Sequence, residues 1–350
     1  MKGIDVVVIG GGLQGYEAAR QAAEMGKKTA LIERRNSLGY ELTACGQGWL
    51  ENGGSGTELP LLLGGLKKYL SQSLLEKDVE VLHDSMAAGL LCRGKNAAGL
   101  LIGNKFGLQA LPSLAVIDTE ASFFAFQRKN KDGIPARYVL EFEQITSWLP
   151  SSMEVPGWLG FQDNKVILHK GIRQNSLFAE FSFSAKRSLL EKRNCRSLLL
   201  WEAQNKALEL AKWLRENIEV FRNGALCGMA PEITLEEETE RIEAFENYFP
   251  IRQRVEKLDT LFLEETAKKI RERTAEIIQG LPPIRVEPDQ IFLGRNGVLP
   301  MEECVLSPFE DDGMKVPLYS ISFDHHVVKD RITADILVAG MGTAGAMSAL

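Results

Sequence analysis

The feature that most constrains this chain is a glycine turn, Gly10-x-Gly12-x-x-Gly15, placed directly after a short apolar run, Val6–Ile9. Consecutive branched apolar residues predict a strand that is buried on both faces. Residues 13–25 carry a face of small alanines, which predicts a helix able to pack closely on a sheet. A strand, a tight turn and a helix in this order predict an α/β fold with a Rossmann-type βαβ unit.

The glycine turn predicts a dinucleotide site. A bare main chain allows a diphosphate to approach, and the first N–H groups of the following helix favour anions. A second predicted strand, Thr29–Ile32, ends at Glu33, where a carboxylate is placed to bind ribose hydroxyls and to repel the 2′-phosphate of NADP. A glycine-rich turn without a ligand is the alternative. The predicted contacts are Gly10, Gly12, Leu13, Gln14, Gly15 and Glu33.

Further segments resemble the FAD-dependent oxidoreductases of the fumarate reductase and glutathione reductase class. Residues 31–35, followed by Leu38 and Gly39, resemble the LLVE-R…LGG run of that family. Residues 79–87 resemble its adenine-contacting strand, and the apolar runs of 88–111 resemble its inserted β-meander. Residues 116–122 align with its VIDATGD segment. The resemblance implies FAD as the cofactor and adds Arg34, Ala87 and Thr119 to the predicted contacts.

Two departures from the family pattern leave alternatives open. Tyr40 replaces the second glycine of the LGG run, and Thr-Glu-Ala-Ser at 119–122 replaces Ala-Thr-Gly-Asp, which brings Glu120 close to the cofactor. These changes favour, as one alternative, a non-catalytic, degenerate FAD-binding module of a larger tandem flavoprotein. An NAD-binding dehydrogenase is another alternative, for which the meander and the Glu-Arg-Arg run are unexpected.

The pattern of predicted elements divides the chain into three parts. We expect a Rossmann-like FAD-binding domain over 1–122, with a parallel sheet and a β-meander insertion. We expect an α+β capping or substrate region over 123–330. Within it, Thr234 and Glu237 form a capping box that predicts the start of a long charged helix.

Residues 331–350 contain a second glycine motif, Gly340-x-Gly342-x-x-Gly345, which repeats the arrangement of Asp5–Gly15. It indicates either the start of a second dinucleotide-binding unit or a strand that returns to the FAD domain. The first interpretation predicts contact with a second flavoprotein domain beyond residue 350. The second places Gly340 against the flavin end of the cofactor.

Candidate catalytic residues are few. Cys45 lies in the loop where the family places the flavin ring, and a buried inert thiol is the alternative. His325 and His326 could act as general acid or base, or lie in solvent. Arg241 could bind a substrate carboxylate, or pair with a neighbouring glutamate.

Composition narrows the function class. With 350 residues and a net charge of −6, the chain is a poor candidate for nucleic-acid binding. The five cysteines form no CxxC pair, so we expect no metal site. No apolar run approaches the ~20 residues of a spanning helix, and we expect a cytoplasmic protein with no membrane contact. We therefore predict an FAD-dependent oxidoreductase that transfers a hydride between a small organic substrate and flavin.

Overall fold

A computed structural model describes residues 3–323 except for several short segments. The gaps are residues 54, 56, 123, 130–132, 148–149, 191–194, 236–237, 254–257, 295–296 and 310–317. His325, His326, Gly340 and the whole of 331–350 lie outside the described residues. The described helices are α1 (Leu13–Glu24), α2 (Tyr40–Thr43), α3 (Leu63–Leu75), α4 (Arg187–Leu190), α5 (Cys195–Asn217) and α6 (Thr260–Gln279).

The described strands form one parallel sheet, two larger antiparallel sheets and two small ribbons. They are β1 (Val6–Ile9), β2 (Thr29–Ile32), β3 (Trp49–Asn52), β4 (Thr57–Pro60), β5 (Glu80–Leu82), β6 (Met86–Arg93), β7 (Asn96–Asn104), β8 (Gly107–Pro112), β9 (Ala115–Asp118), β10 (Phe126–Arg128), β11 (Ile134–Glu143), β12 (Ser152–Glu154), β13 (Lys165–Lys170), β14 (Leu177–Ala185), β15 (Ala225–Met229), β16 (Thr234–Leu235), β17 (Thr239–Arg241), β18 (Tyr248–Pro250), β19 (Gln290–Phe292), β20 (Val298–Pro300), β21 (Cys304–Phe309) and β22 (Leu318–Phe323).

The parallel sheet confirms the predicted Rossmann-type fold class. Its strand order is β18-β9-β1-β2-β5, with β1 at the centre. Side chains of β1 alternate between two cores: Val6 and Val8 pack with α1 and α6, whereas Val7 and Ile9 pack with the seven-stranded antiparallel sheet. Because both faces are covered, every residue of β1 is buried.

Close packing of α1 on β1 depends on one glycine. A Cβ atom added to Gly15 would lie only 1.7 Å from the carbonyl oxygen of Gly10. Helix α1 then buries Ala18, Ala19 and Ala22 against the sheet. Small side chains at these positions bring the helix axis close to β1 and aim its N-terminus at the end of that strand.

The predicted meander is part of a larger sheet. Strands β6, β7 and β8 pair in sequence, and β19 and β22 extend them on either side, giving the order β20-β19-β6-β7-β8-β22-β21. The third sheet has the order β12-β13-β14-β11-β15 and packs one face against α5. Gly46, in the loop after α2, reaches the β11 side of this third sheet, where an added Cβ would meet Ala230 and Val139.

The prediction that a long helix begins at Thr234 is wrong. Thr234 lies in β16 and pairs with Arg137 of β11, while Glu237 lies outside the described residues. Strand β18 then adds to the parallel sheet beside β9, and helix begins only with α6. Pairing with existing sheet edges, a long-range effect, outweighs the local capping signal.

We predict that Gly15→Ala destabilises the chain by roughly 3 kcal/mol, because the added methyl group overpacks the contact between α1 and the Gly10 carbonyl. The matched control is Gly64→Ala in α3, where an added Cβ meets nothing within 4 Å. That change should stabilise the chain by up to about 1 kcal/mol. Urea denaturation midpoints measure both effects, and equal midpoints for the two variants would contradict the packing account.

Candidate dinucleotide site at the end of β1

The predicted glycine turn has the backbone of an anion cradle. Gly10 has a φ of +94°, a conformation that favours glycine, and its N–H donates to the carbonyl oxygen of Ile32 at 2.9 Å. Gly12 is the N-cap residue of α1 and provides no side-chain cap. The first N–H groups of α1 are therefore left for a partner from elsewhere.

Glu33 faces this turn, as its position at the end of β2 predicts. Its side chain is fully buried, and its Oε2 accepts a hydrogen bond from the Gly11 N–H at 2.6 Å. Its Oε1 accepts from the Arg35 N–H at 2.8 Å. Burial raises the pKa of Glu33, with a further increase from nearby Glu120, whereas Arg35 lowers it. The carboxylate lies in the crevice and already has hydrogen-bond partners there.

The N-terminus of α1 holds a second carboxylate, that of Glu41 in α2. The Leu13 N–H donates to Glu41 Oε2 at 3.0 Å and to Oε1 at 3.2 Å. A Cβ atom added to Gly12 would lie 2.5 Å from Glu41 Oε1. Burial raises the pKa of Glu41 to about 7. A helix N-terminus attracts negative charge, so this carboxylate takes the place of an anionic ligand.

A third acidic side chain, Glu120, covers the first glycine. A Cβ atom added to Gly10 would lie 2.3 Å from Glu120 Cγ. The segment that carries Glu120 is held by Asp118, whose carboxylate accepts hydrogen bonds from the N–H groups of Glu120 and Ser122 and from the Tyr248 hydroxyl. Thr119 is also fixed, since its Oγ1 donates to the Ile9 carbonyl at 2.8 Å.

Arg35 neutralises much of this acidic cluster. Its Nη1 lies 3.1 Å from Glu33 Oε1 and 3.3 Å from Glu120 Oε1. Its Nε and Nη2 donate to the two carboxylate oxygens of Glu232 at 2.6 and 2.8 Å, and its guanidinium lies 4.3 Å from the centre of the Tyr40 ring. Burial lowers the pKa of Arg35, but the three carboxylates outweigh it and hold the pKa above its ordinary value.

A dinucleotide fits the main chain of this site but not its side chains as they stand. The glycine turn, the N-terminus of α1 and the orientation of Glu33 suit a diphosphate and a ribose. The space above Gly12 is filled by Glu41 and by the Tyr40 ring, which would lie 2.9 Å from an added Cβ. A diphosphate and the Glu41 carboxylate cannot occupy the end of α1 together.

The other predicted cofactor contacts lie around this turn. Gln14 is buried and exchanges two hydrogen bonds of 2.7 Å with the main chain of Gln253. Arg34 lines a cavity of about 500 Å³ at the end of β5, together with Ser85 and Lys105. Its Nε is buried and has no hydrogen-bond partner among the described residues. Ala87, in β6, is half-buried next to this cavity.

The predicted catalytic candidates are not brought together. Cys45 is buried after α2, and burial raises the pKa of its thiol even though a hydrogen bond to Thr234 lowers it. Arg241 lies in β17, where its Nε donates to the Glu243 carbonyl at 2.6 Å. His325 and His326, like Gly340, lie outside the described residues.

Sequence reasoning missed three charged residues of the site. Arg35 lies within the family-like run and Glu41 lies two residues after it, but nothing local indicates that both side chains reach the glycine turn region. Glu232 lies 197 residues from Arg35 in the chain. Two local signals, the replacement of glycine by Tyr40 and the presence of Glu120 in the 119–122 segment, indicated that this region differs from the family pattern.

Comparison with known proteins supports the cofactor class. Residues 5–59 match the family described as FAD dependent oxidoreductase. This segment, which contains β1, the glycine turn and Glu33, is similar to the FAD-dependent oxidoreductases. FAD is the cofactor of that family, and the family resemblance predicted from the sequence is confirmed. No curated protein sequence matches the chain.

Solved structures extend the likeness in fold to most of the chain. Aklavinone-11 hydroxylase, in a ternary complex with FAD and aklavinone, is 11% identical, with a TM-score of 0.53 over 79% of this chain and 63% of that one. A triple mutant of the flavin-dependent brominase Bmp2 is 14% identical, with a TM-score of 0.51 over 80% and 81%. A geranylgeranyl bacteriochlorophyll reductase-like protein from Thermoplasma acidophilum is 14% identical, with a TM-score of 0.50 over 80% and 82%.

These likenesses confirm the predicted fold class, a Rossmann-type FAD-binding architecture with a second, antiparallel region. Among the described helices, none combines the length and the apolar character needed to cross a membrane. The predicted domain boundaries and the predicted contact with a second flavoprotein domain stay predictions.

We predict that Arg35→Ala destabilises the chain by roughly 3–5 kcal/mol at neutral pH, because it leaves Glu33, Glu120 and Glu232 without their shared cation. The control is Arg93→Ala, whose largely exposed side chain is 3.9 Å from Asp289 and should matter little. Denaturation midpoints compare the two. A loss for Arg35→Ala no larger than that of the control would contradict the account.

The loss caused by Arg35→Ala should narrow in acid. Burial raises the pKa of Glu232, but Arg35, with smaller contributions from Arg34 and Arg196, outweighs burial and holds this pKa below its ordinary value. This contribution to stability is complete above the ordinary glutamate pKa and is lost as the pH falls through the lowered one. The denaturation midpoints of the unchanged chain and of Arg35→Ala should therefore converge between pH 7 and pH 3. A constant difference between the two midpoints would contradict the ion-pair assignment.

Proposed function

We propose that this chain is an oxidoreductase that transfers a hydride between a small organic substrate and the flavin of FAD. The observation that carries the proposal is the βαβ unit with its glycine turn and with Glu33 facing that turn. Flavin, when bound, supplies the hydride-accepting ring system, while the protein supplies orientation and electrostatics. Gly10, Gly12 and the N–H of Leu13 would hold the diphosphate, and Glu33 the ribose.

The substrate region of this proposal is the face of the third sheet that meets β3 and β4. There the Trp49 ring stacks on His169, with ring centres 3.6 Å apart. His169 Nδ1 lies 2.7 Å from Glu58 Oε1, and its buried Nε2 has no hydrogen-bond partner among the described residues. The His169 imidazole therefore lies between the Glu58 and Glu180 carboxylates, where it would help to orient a polar group of the substrate.

A second candidate function is a non-catalytic flavoprotein-like module. The observation that favours it is the occupation of the glycine turn by Glu41 and Glu120, with Arg35 bound to the acidic residues around it. A buried, internally paired cluster of this kind stabilises the fold without any ligand. A chain whose nucleotide site no longer binds a ligand would keep this cluster, because the cluster stabilises the fold.

We predict that the full chain binds FAD at a 1:1 ratio in an equilibrium titration and that Gly12→Val abolishes this binding. The valine side chain would occupy the space above position 12, which the diphosphate needs. Glu41 and Tyr40 border that space closely enough to meet even a Cβ atom. Gly64→Val, on an exposed turn of α3, is the matched control and should bind as the unchanged chain does. Binding by Gly12→Val at unchanged affinity would place the cofactor elsewhere.

The same FAD-loaded chain separates the two candidate functions. An oxidoreductase should lose its flavin absorbance when an organic hydride donor is added without oxygen. If a folded, FAD-loaded chain is reduced by dithionite but by no member of a broad panel of alcohols, amines and reduced nicotinamides, the non-catalytic module is the better account.

A further inference from the structure

We propose that the Glu41 side chain is an internal competitor of the FAD diphosphate, so that FAD binds only when the turn Tyr40–Thr43 withdraws from the N-terminus of α1. The proposal rests on the proposed function, since it concerns the same site. Its first support is the pair of hydrogen bonds, at 3.0 and 3.2 Å, that the Leu13 N–H donates to the Glu41 carboxylate. A diphosphate oxygen would need that same donor.

The second support is steric. The space that Gly12 leaves open is not empty, because Glu41 Oε1 and two carbons of the Tyr40 ring lie within 3.0 Å of the position of an added Cβ. The Tyr40 ring is held on its other side by the Arg35 guanidinium. Glu41 and Tyr40 therefore fill the space above Gly12 together, and a ligand must displace both side chains.

The third support is that the turn is a short segment between two glycines. Helix α2 has only four residues and lies between Gly39, with a φ of +67°, and Gly46, with a φ of +70°. Both conformations favour glycine, so the chain can change direction at each end of the turn without a Cβ clash. Besides the contact between Glu41 and Leu13, a hydrogen bond from the Gly39 N–H to the Gly11 carbonyl at 2.7 Å ties this segment to the glycine turn.

Burial also weakens the contact between the Glu41 carboxylate and the N-terminus of α1. Arg35, Glu120, Tyr40 and Cys45 are the titratable groups that act on the buried Glu41. Burial makes the charged form of Glu41 costly, while its hydrogen bond to Leu13 favours that form. The hydrogen bond from the Leu13 N–H therefore offsets only part of the cost of burying the Glu41 carboxylate.

The experiment measures the affinities of FAD and ADP for the full chain by titration calorimetry. It compares the unchanged protein with Glu41→Ala. We expect at least tenfold tighter binding of FAD by Glu41→Ala. ADP has the same diphosphate without the flavin, so its affinity should rise by a similar factor. The control is Glu265→Ala, a largely exposed carboxylate on α6 that should leave both affinities unchanged.

A second variant guards against misfolding. Glu41→Gln keeps the volume of the side chain and an acceptor for the Leu13 N–H, so it should fold as the unchanged protein does, with a smaller gain in affinity than the alanine variant. If the unchanged chain and both variants bind FAD equally tightly, Glu41 is not a competitor, although the proposed function survives. If all of them fold but none binds FAD or ADP, both the competitor and the proposed cofactor site are wrong.

Discussion

The charge balance around Arg35 governs the structure at the end of the parallel sheet. One buried guanidinium contacts Glu33, Glu120 and Glu232, which come from three separate segments of the chain. Buried carboxylates without a cation would be protonated or would unfold their surroundings. Because Arg35 is present, the segments after β2 and β9 can approach the glycine turn closely, and Glu41 can rest on α1 beside them.

In this arrangement, a backbone typical of nucleotide binding holds a carboxylate of the protein itself, that of Glu41. Strand β1, the glycine turn and helix α1 create a local excess of N–H groups, which calls for negative charge. A ligand phosphate can supply that charge in a dinucleotide-binding βαβ unit, whereas here Glu41 supplies it from within the protein. Cofactor binding and internal packing thus compete for one set of donors, and the balance between them decides whether this chain works as a flavoprotein.

Much of the fold could be predicted from local patterns. The run Val6–Ile9 and the alanines of α1 locate the βαβ unit, since burial on two faces and close packing each leave a clear signature. The side-chain network could not be predicted, because one partner of Arg35, Glu232, lies 197 residues away in the chain. Thr234 shows the same limit: its capping signal is local, but its pairing with Arg137 in β11 is not.

A crystal structure of the chain grown with FAD tests the central claim most directly. The account predicts the diphosphate on the N–H of Leu13, with the Glu41 carboxylate and the Tyr40 ring moved away from Gly12. Arg35 would stay close to Glu33. A diphosphate bound elsewhere, with Glu41 still accepting from Leu13, would contradict it.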